Sequence, residues 1–190
     1  MNAAHGNPVI ETSRLTLRLP ELQDFEAMHE IYGDEQTARY IGGHLSRPAS
    51  WRRFLVMPGA WAVQGFGMFS IVERATGELV GQCGPWHPIE WQGTEIGWAI
   101  RPQFFGRGYA FEAAVAAMDY ACDVLGWTEI IHTIHHDNAP SIRLAERLGS
   151  LHVRDAELAP AGSGVHVGIW AQSAQDWSQH RQSFLHLLSP

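Results

Sequence analysis

At 190 residues, with 45% hydrophobic and 11% aromatic content, the chain has material for one folded domain with a sizeable core, and its composition argues against wholesale disorder. A net charge of −7 argues against general nucleic-acid binding through a basic surface, and no apolar run approaches the roughly 18–20 residues that span a bilayer. Every basic residue is an arginine, which excludes catalytic lysine chemistry, and two cysteines (Cys83, Cys122) are too few for a disulfide framework.

Residues 1–10 read as a loose leader, without the basic-then-apolar pattern of a signal peptide, so cytoplasmic localisation is the plain expectation. The remaining residues, 11–190, read as a single domain. Residues 13–19 alternate Leu15, Leu17 and Leu19 with polar side chains, a half-buried strand. Residues 21–32 carry apolar positions at helical spacing behind an acidic start. A short helix over 50–57 is expected to stop at Pro58-Gly59. Strands at 67–73 and 78–83 flank a turn ending in Gly77, and residues 84–88 read as a loop. A strand at 94–100 is followed by a glycine-rich turn and a helix from Tyr109 to about Leu125. A strand at 129–135, a helix at 138–148 capped by Gly149, strands at 151–154 and 165–171, a loop at 159–164 and a final helix from Ser173 to about Leu188 complete the chain. The order predicts an α/β layout, helices flanking one central mixed sheet.

The segment Gln103-Phe-Phe-Gly106-Arg107-Gly108-Tyr109-Ala110 carries the most information. Strand, tight glycine turn, then helix N-terminus is an arrangement that holds phosphate: glycines permit close backbone approach, amide N–H groups face the oxygens, and the helix dipole favours negative charge. It is neither a P-loop nor a complete G-x-G-x-x-G. Arg101, Arg107, Arg143 and Arg147 fall around it in sequence and could gather positive charge in an acidic protein.

This segment resembles the Q/R-x-x-G-x-G/A signature of GNAT-type N-acetyltransferases, and further motifs follow in order. Glu11-Thr-Ser-Arg14-Leu15-x-Leu17-Arg18 resembles the opening of the RimJ/RimL-like branch; Glu95-Ile-Gly97-Trp98 resembles its E-I-G-aromatic strand; Gly108-Tyr109-Ala110-x-Glu112-Ala113 its turn into the helix; Asn138-Ala-Pro-Ser141 its N-x-x-S helix start. The resemblance implies the GNAT fold, acetyl-CoA as cosubstrate, no metal, and direct transfer to a primary amine on a protein N-terminus or a small molecule. It implies that backbone groups of Trp98, Ala99 and Ile100 hold the pantetheine, amides from Phe105 through Gly106, Arg107, Gly108 and Tyr109 to Ala110 receive the pyrophosphate, and Asn138 binds the pantetheine. Glu95 becomes the candidate base for the amine, and Ser141 the donor to the departing sulfur. Ala145 stands where many GNAT enzymes carry a tyrosine for that role. Dimers are common in such families, and a homodimer stays open.

Each residue also has a plainer reading. Glu95 fits a salt-bridged strand carboxylate, Asn138 a helix cap, and Ser141 a first-turn residue. His132 and His136 share one strand face with no further ligands beside them, so no metal site is expected. Cys83 reads as a small buried residue. Trp86, His87 and Trp91 lie before or beside the Glu95 strand and are candidates for an acceptor pocket. A catalytically weak acyl-CoA-binding or sensing protein is the alternative that the missing tyrosine keeps open.

Overall fold

The computed structural model describes residues 7–158 and 164–189. Eight strands form one sheet in the order β1-β2-β3-β4-β5-β6-β8-β7: β1 (Ile10–Glu11), β2 (Leu15–Arg18), β3 (Phe69–Glu73), β4 (Leu79–Trp86), β5 (Glu95–Ile100), β6 (Glu129–Ile134), β7 (Leu151–Glu157) and β8 (His166–Ser173). Neighbours run antiparallel except β5 and β6, which are parallel. On one face lie α1 (Phe25–Gly33), the single turn α2 (Glu35–Ala38) and α3 (Arg47–Gln64), with Phe25, Met28, Ile31, Tyr32 and Phe54 packed on Leu79 and Ala99. The other face carries α4 (Tyr109–Asp123), whose side chains are buried nearly all round among Leu15, Leu17, Phe69, Ile71, Ile96 and Ile100. α5 (Ala139–Arg147) follows β6, and α6 (Ala174–His180) leads into a 3-10 stretch, Arg181–Leu187.

Several expected boundaries move for identifiable reasons. Ile10, read from the sequence as part of a leader, pairs with Leu17 in β1–β2, and residues 1–6 of that expected leader lie outside the described residues. The second helix does not stop at Pro58: it runs to Gln64 with Pro58 inside and ends at Gly65, which takes a left-handed φ of 80°. Burial of Ala60 and Trp61 beyond the proline carries the helix through the lost backbone bond. Residues 84–86 are strand, not loop, since Gly84, Pro85 and Trp86 pair with Gly97, Ile96 and Glu95. β6 ends at Ile134, leaving His135 and His136 in the turn beyond it, and the final α-helix ends at His180. The expected loop at 159–164 lies, apart from Gly164, outside the described residues.

Candidate active site

The cleft begins where the sheet comes apart. β5 and β6 are in register at Glu95 and Ile131, and the Ile131 N–H donates to Thr94 O at 2.9 Å. One pleat further on, the Ile96 carbonyl meets the His132 side chain, whose Nδ1 lies 2.7 Å away. A carbonyl can only accept, so Nδ1 carries the proton and Nε2 is left with a lone pair. Burial holds this imidazole neutral, with its pKa lowered to about 4. An imidazole thus stands where a backbone amide would continue the ladder. Because Thr94 and Ile96 turn their carbonyls toward β6, the two-residue alternation turns the peptide groups of Trp98 and Ile100 the same way, and those of Ala99 toward β4.

Between the diverging ends lies a cleft of about 760 Å³. Its walls are Trp98–Ile100, the turn Phe104–Gly106 with Gly108, the first turn of α4, and Asp137, Asn138, Ser141, Arg143 and Arg147 from the β6–α5 corner and α5. Residues 39–41, after α2, close it from above: the Tyr40 hydroxyl donates to Asp137 O at 3.2 Å and its ring packs on His135. Among the described residues Arg39, Arg143 and Arg147 line the cleft against a single carboxylate, Asp137, so a protein of charge −7 presents a positive wall here.

Gly106 and Gly108 take φ of 74° and 78°, a region that side chains strongly disfavour. They wrap the turn so that the N–H groups of Tyr109, Ala110 and Phe111, unpaired by helix geometry, face the same end of the cleft. The turn is anchored from the far end of the sequence. Glu112, fully buried, accepts from Thr12 Oγ1 (2.6 Å), Ser13 Oγ (3.1 Å), Arg14 N (2.9 Å) and Arg14 Nε (2.6 Å), while Arg14 Nη1 donates to the Arg107 carbonyl at 2.9 Å. The N-terminal and glycine-turn motifs are therefore two halves of one contact. Arg14 also lies over the Tyr109 ring, whose hydroxyl donates to Glu73.

Glu95 sits at the mouth of the split, on the opposite sheet face from Trp98 and Ser141. Its carboxyl group accepts from the Trp91 indole N–H, from Thr133 Oγ1 at 3.0 Å and from Thr133 N at 3.3 Å. Burial outweighs these bonds and pushes its pKa up to about 7, the range in which a carboxylate exchanges protons at neutral pH. Trp86 is directly opposite Glu95 in the β4–β5 register and packs edge-on against Trp91. His87 is exposed. On α5, Asn138 caps the helix by accepting from Ser141 N at 3.4 Å, and Ser141 Oγ accepts from the Trp98 indole N–H at 3.2 Å. Cys83 is buried and its thiol is pushed far above its ordinary pKa, which suits the small core residue expected. Among the described residues no group of three or more His, Cys, Asp or Glu could hold a metal ion, and no helix is long and apolar enough to cross a membrane.

The family model for the acetyltransferase (GNAT) domain matches residues 14–150, the stretch from Arg14 to the residue before β7. The chain belongs to the GNAT acetyltransferase family. A Bacillus licheniformis protein named as an N-acetyltransferase is 30% identical over 141 residues, covering 72% of this chain and 79% of its own. Among solved structures, an acetyltransferase from Agrobacterium tumefaciens superposes with a TM-score of 0.76 at 30% identity, covering 90% of this chain and 98% of its own. A GNAT-family acetyltransferase from Bacillus anthracis gives 0.75 at 27%, covering 88% and 99%. The eight-stranded mixed sheet flanked by helices is the GNAT fold.

Within this GNAT cleft, the sequence-selected Trp98, Ala99, Ile100, Phe105, Gly106, Gly108, Tyr109, Ala110, Asn138 and Ser141 all form walls. Arg107 contributes its backbone to the turn but folds its guanidinium over Phe104. Arg101 does not add charge to the cleft: it is paired with Glu30 at 2.7 Å and with Leu79 O at 2.6 Å. Sequence reasoning missed Arg39 and Tyr40, which come from a single-turn helix and its loop without periodicity to mark them. It also missed Thr133 and the strand-bridging role of His132, which only the β5–β6 register reveals.

Proposed function

We propose that this GNAT acetyltransferase moves the acetyl group of acetyl-CoA directly to a primary amine, on a protein N-terminus or a small molecule, in a ternary complex. The carrying observation is the juxtaposition of a phosphate-accepting helix N-terminus, a strand split with its peptide groups turned inward, and a buried carboxyl group of pKa about 7 at the mouth of that split. The volume and positive wall of the cleft suit a long anionic cosubstrate.

In this reading the amides of the glycine turn and the first turn of α4 hold the pyrophosphate, with Arg39, Arg143 and Arg147 adding charge. Trp98 and Ile100 offer inward-facing peptide groups to the pantetheine, and Asn138 offers its remaining amide capacity. Glu95, reached directly or through one water, removes a proton from the attacking amine. The backbone N–H of Trp98 faces the oxygen on which negative charge develops, and Ser141 donates to the sulfur as the C–S bond breaks. Trp86 and Trp91 flank Glu95 and give the acceptor side apolar surface. The motif Glu11–Arg18 supports a place in the RimJ/RimL-like branch.

Titration calorimetry of acetyl-CoA against the parent and Gly108→Trp tests the first step. Saturable binding, lost in a folded variant, supports the assignment; a folded parent that binds nothing at millimolar ligand refutes it. A screen of amines by thiol release then separates transferase from sensor. Ala145 in the tyrosine position favours the second reading, an acyl-CoA-binding protein, which tight binding without turnover on any amine would support.

A further inference from the structure

The Ser141 hydroxyl is constrained in a way that its own helix does not explain. Its oxygen lies 3.2 Å from the Trp98 indole nitrogen, and an indole N–H donates only. Ser141 must therefore spend a lone pair on Trp98, and its own O–H must look for an acceptor elsewhere. The Asp137 carbonyl, four residues back, accepts from Tyr40 and keeps a second lone pair, yet Ser141 does not donate to it; among the described residues no acceptor takes the Ser141 O–H. Both Trp98 and Ser141 line the cleft, so the free direction is into it.

The indole is itself held in place. One side packs on the His132 ring, 4.9 Å away centroid to centroid, and that ring is tied to the Ile96 carbonyl. Another side packs against the cluster of Ile134, Ala145 and Trp170, in which Ala145 is fully buried. A larger side chain at 145 would compete for the space that Trp98 and its neighbours fill.

We propose that Trp98 is a positioning residue: its indole N–H turns Ser141 into an obligate donor toward the sulfur of CoA. This rests on the reading that CoA occupies the cleft. No covalent step is added; the electron pair released to sulfur as the C–S bond breaks is met by the Ser141 O–H as a hydrogen bond, and the proton balance stays with the amine and Glu95.

The test uses the product, free CoA, and so needs no known acceptor. The thiolate absorbance of bound CoA is followed against pH in the parent, Trp98→Phe, Ser141→Ala and the double variant, with CoA affinity measured below the thiol pKa. A hydrogen bond to the charged sulfur should lower the pKa of the bound thiol by about one to two pH units relative to free CoA. Ser141→Ala should abolish that shift, Trp98→Phe should remove most of it, and the double variant should match Ser141→Ala alone, because the two residues act as one unit. CoA affinity below the thiol pKa is the control that separates a change in the bound thiol's pKa from a loss of binding. Arg39, Arg143, Arg147 and Asp137 are common to all four proteins, so differences among them isolate the hydroxyl. A Trp98→Phe protein retaining the parent's shift, or effects of the two substitutions that simply add, would overturn the assignment. Should Trp98→Phe fold poorly, His132→Phe loosens the indole from behind, and an unchanged shift there would count against the proposal in the same way. Absence of CoA binding in the parent would instead refute the cosubstrate reading.

Discussion

Replacing Glu95 by glutamine should change how stability depends on pH, by an amount that follows from its burial. Glu95 is 7% exposed, and desolvation raises its pKa from an ordinary 4.5 to about 7. A folded-state pKa above the unfolded one means that the native protein binds the proton more tightly. The stabilisation is full below pH 4.5 and is lost as pH rises through 7. At about 1.36 kcal/mol per unit, the loss is roughly 3 kcal/mol. His132 works in the opposite sense: its pKa falls from 6.5 to about 4, so its contribution is full above 6.5 and declines as pH falls toward 4. The two slopes oppose each other in nearly the same window, and the parent should show little net dependence from this pair. Glu95→Gln removes one of them. Urea denaturation of both proteins between pH 4.5 and 8 should show the variant gaining about 3 kcal/mol on the parent as pH rises. A difference that stays constant within about 0.5 kcal/mol across that range would refute the desolvation argument, because every other group cancels in the subtraction.

The same carboxyl group predicts the activity profile: transfer to an amine should rise through a group of pKa about 7, and Glu95→Gln should lose that limb along with about a hundredfold in kcat, read by thiol release. Arg14→Met leaves the fully buried Glu112 without its guanidinium partner and frees the Arg107 carbonyl, so it should cost about 2 kcal/mol by urea denaturation and weaken acetyl-CoA binding in calorimetry. If binding is untouched while stability falls, the turn does not depend on its anchor. Two glycines of the sheet should part company. A Cβ at Gly81 would meet the Ala99 carbonyl oxygen at 2.2 Å, so Gly81→Ala should lose about 3 kcal/mol. A Cβ at Gly97 would clash with the flexible end of Met68 at 2.6 Å and make ordinary contact with Glu95 Oε1 at 3.7 Å, so Gly97→Ala should keep a melting temperature much nearer the parent's.

What the sequence by itself determined is local: strands from alternation, α4 from its apolar run behind Gly106-x-Gly108, and α5 from Asn138 at one end and Gly149 at the other. Those signals are short-range because backbone dihedrals and hydrophobic period are properties of neighbouring residues, and they located most of the cleft wall. Where a local rule met a tertiary contact, the contact prevailed. Pro58 lies inside α3 because Trp61 is buried beyond it, and Pro85 lies inside β4 because β5 pairs alongside. Only the tertiary structure brought Arg14 to Glu112, 98 residues apart, and Trp98 to Ser141, 43 apart. It also set the protonation of Glu95 and His132, since a pKa depends on how much water a group keeps and on which donors reach it. Both are fixed by strands that come together from across the chain.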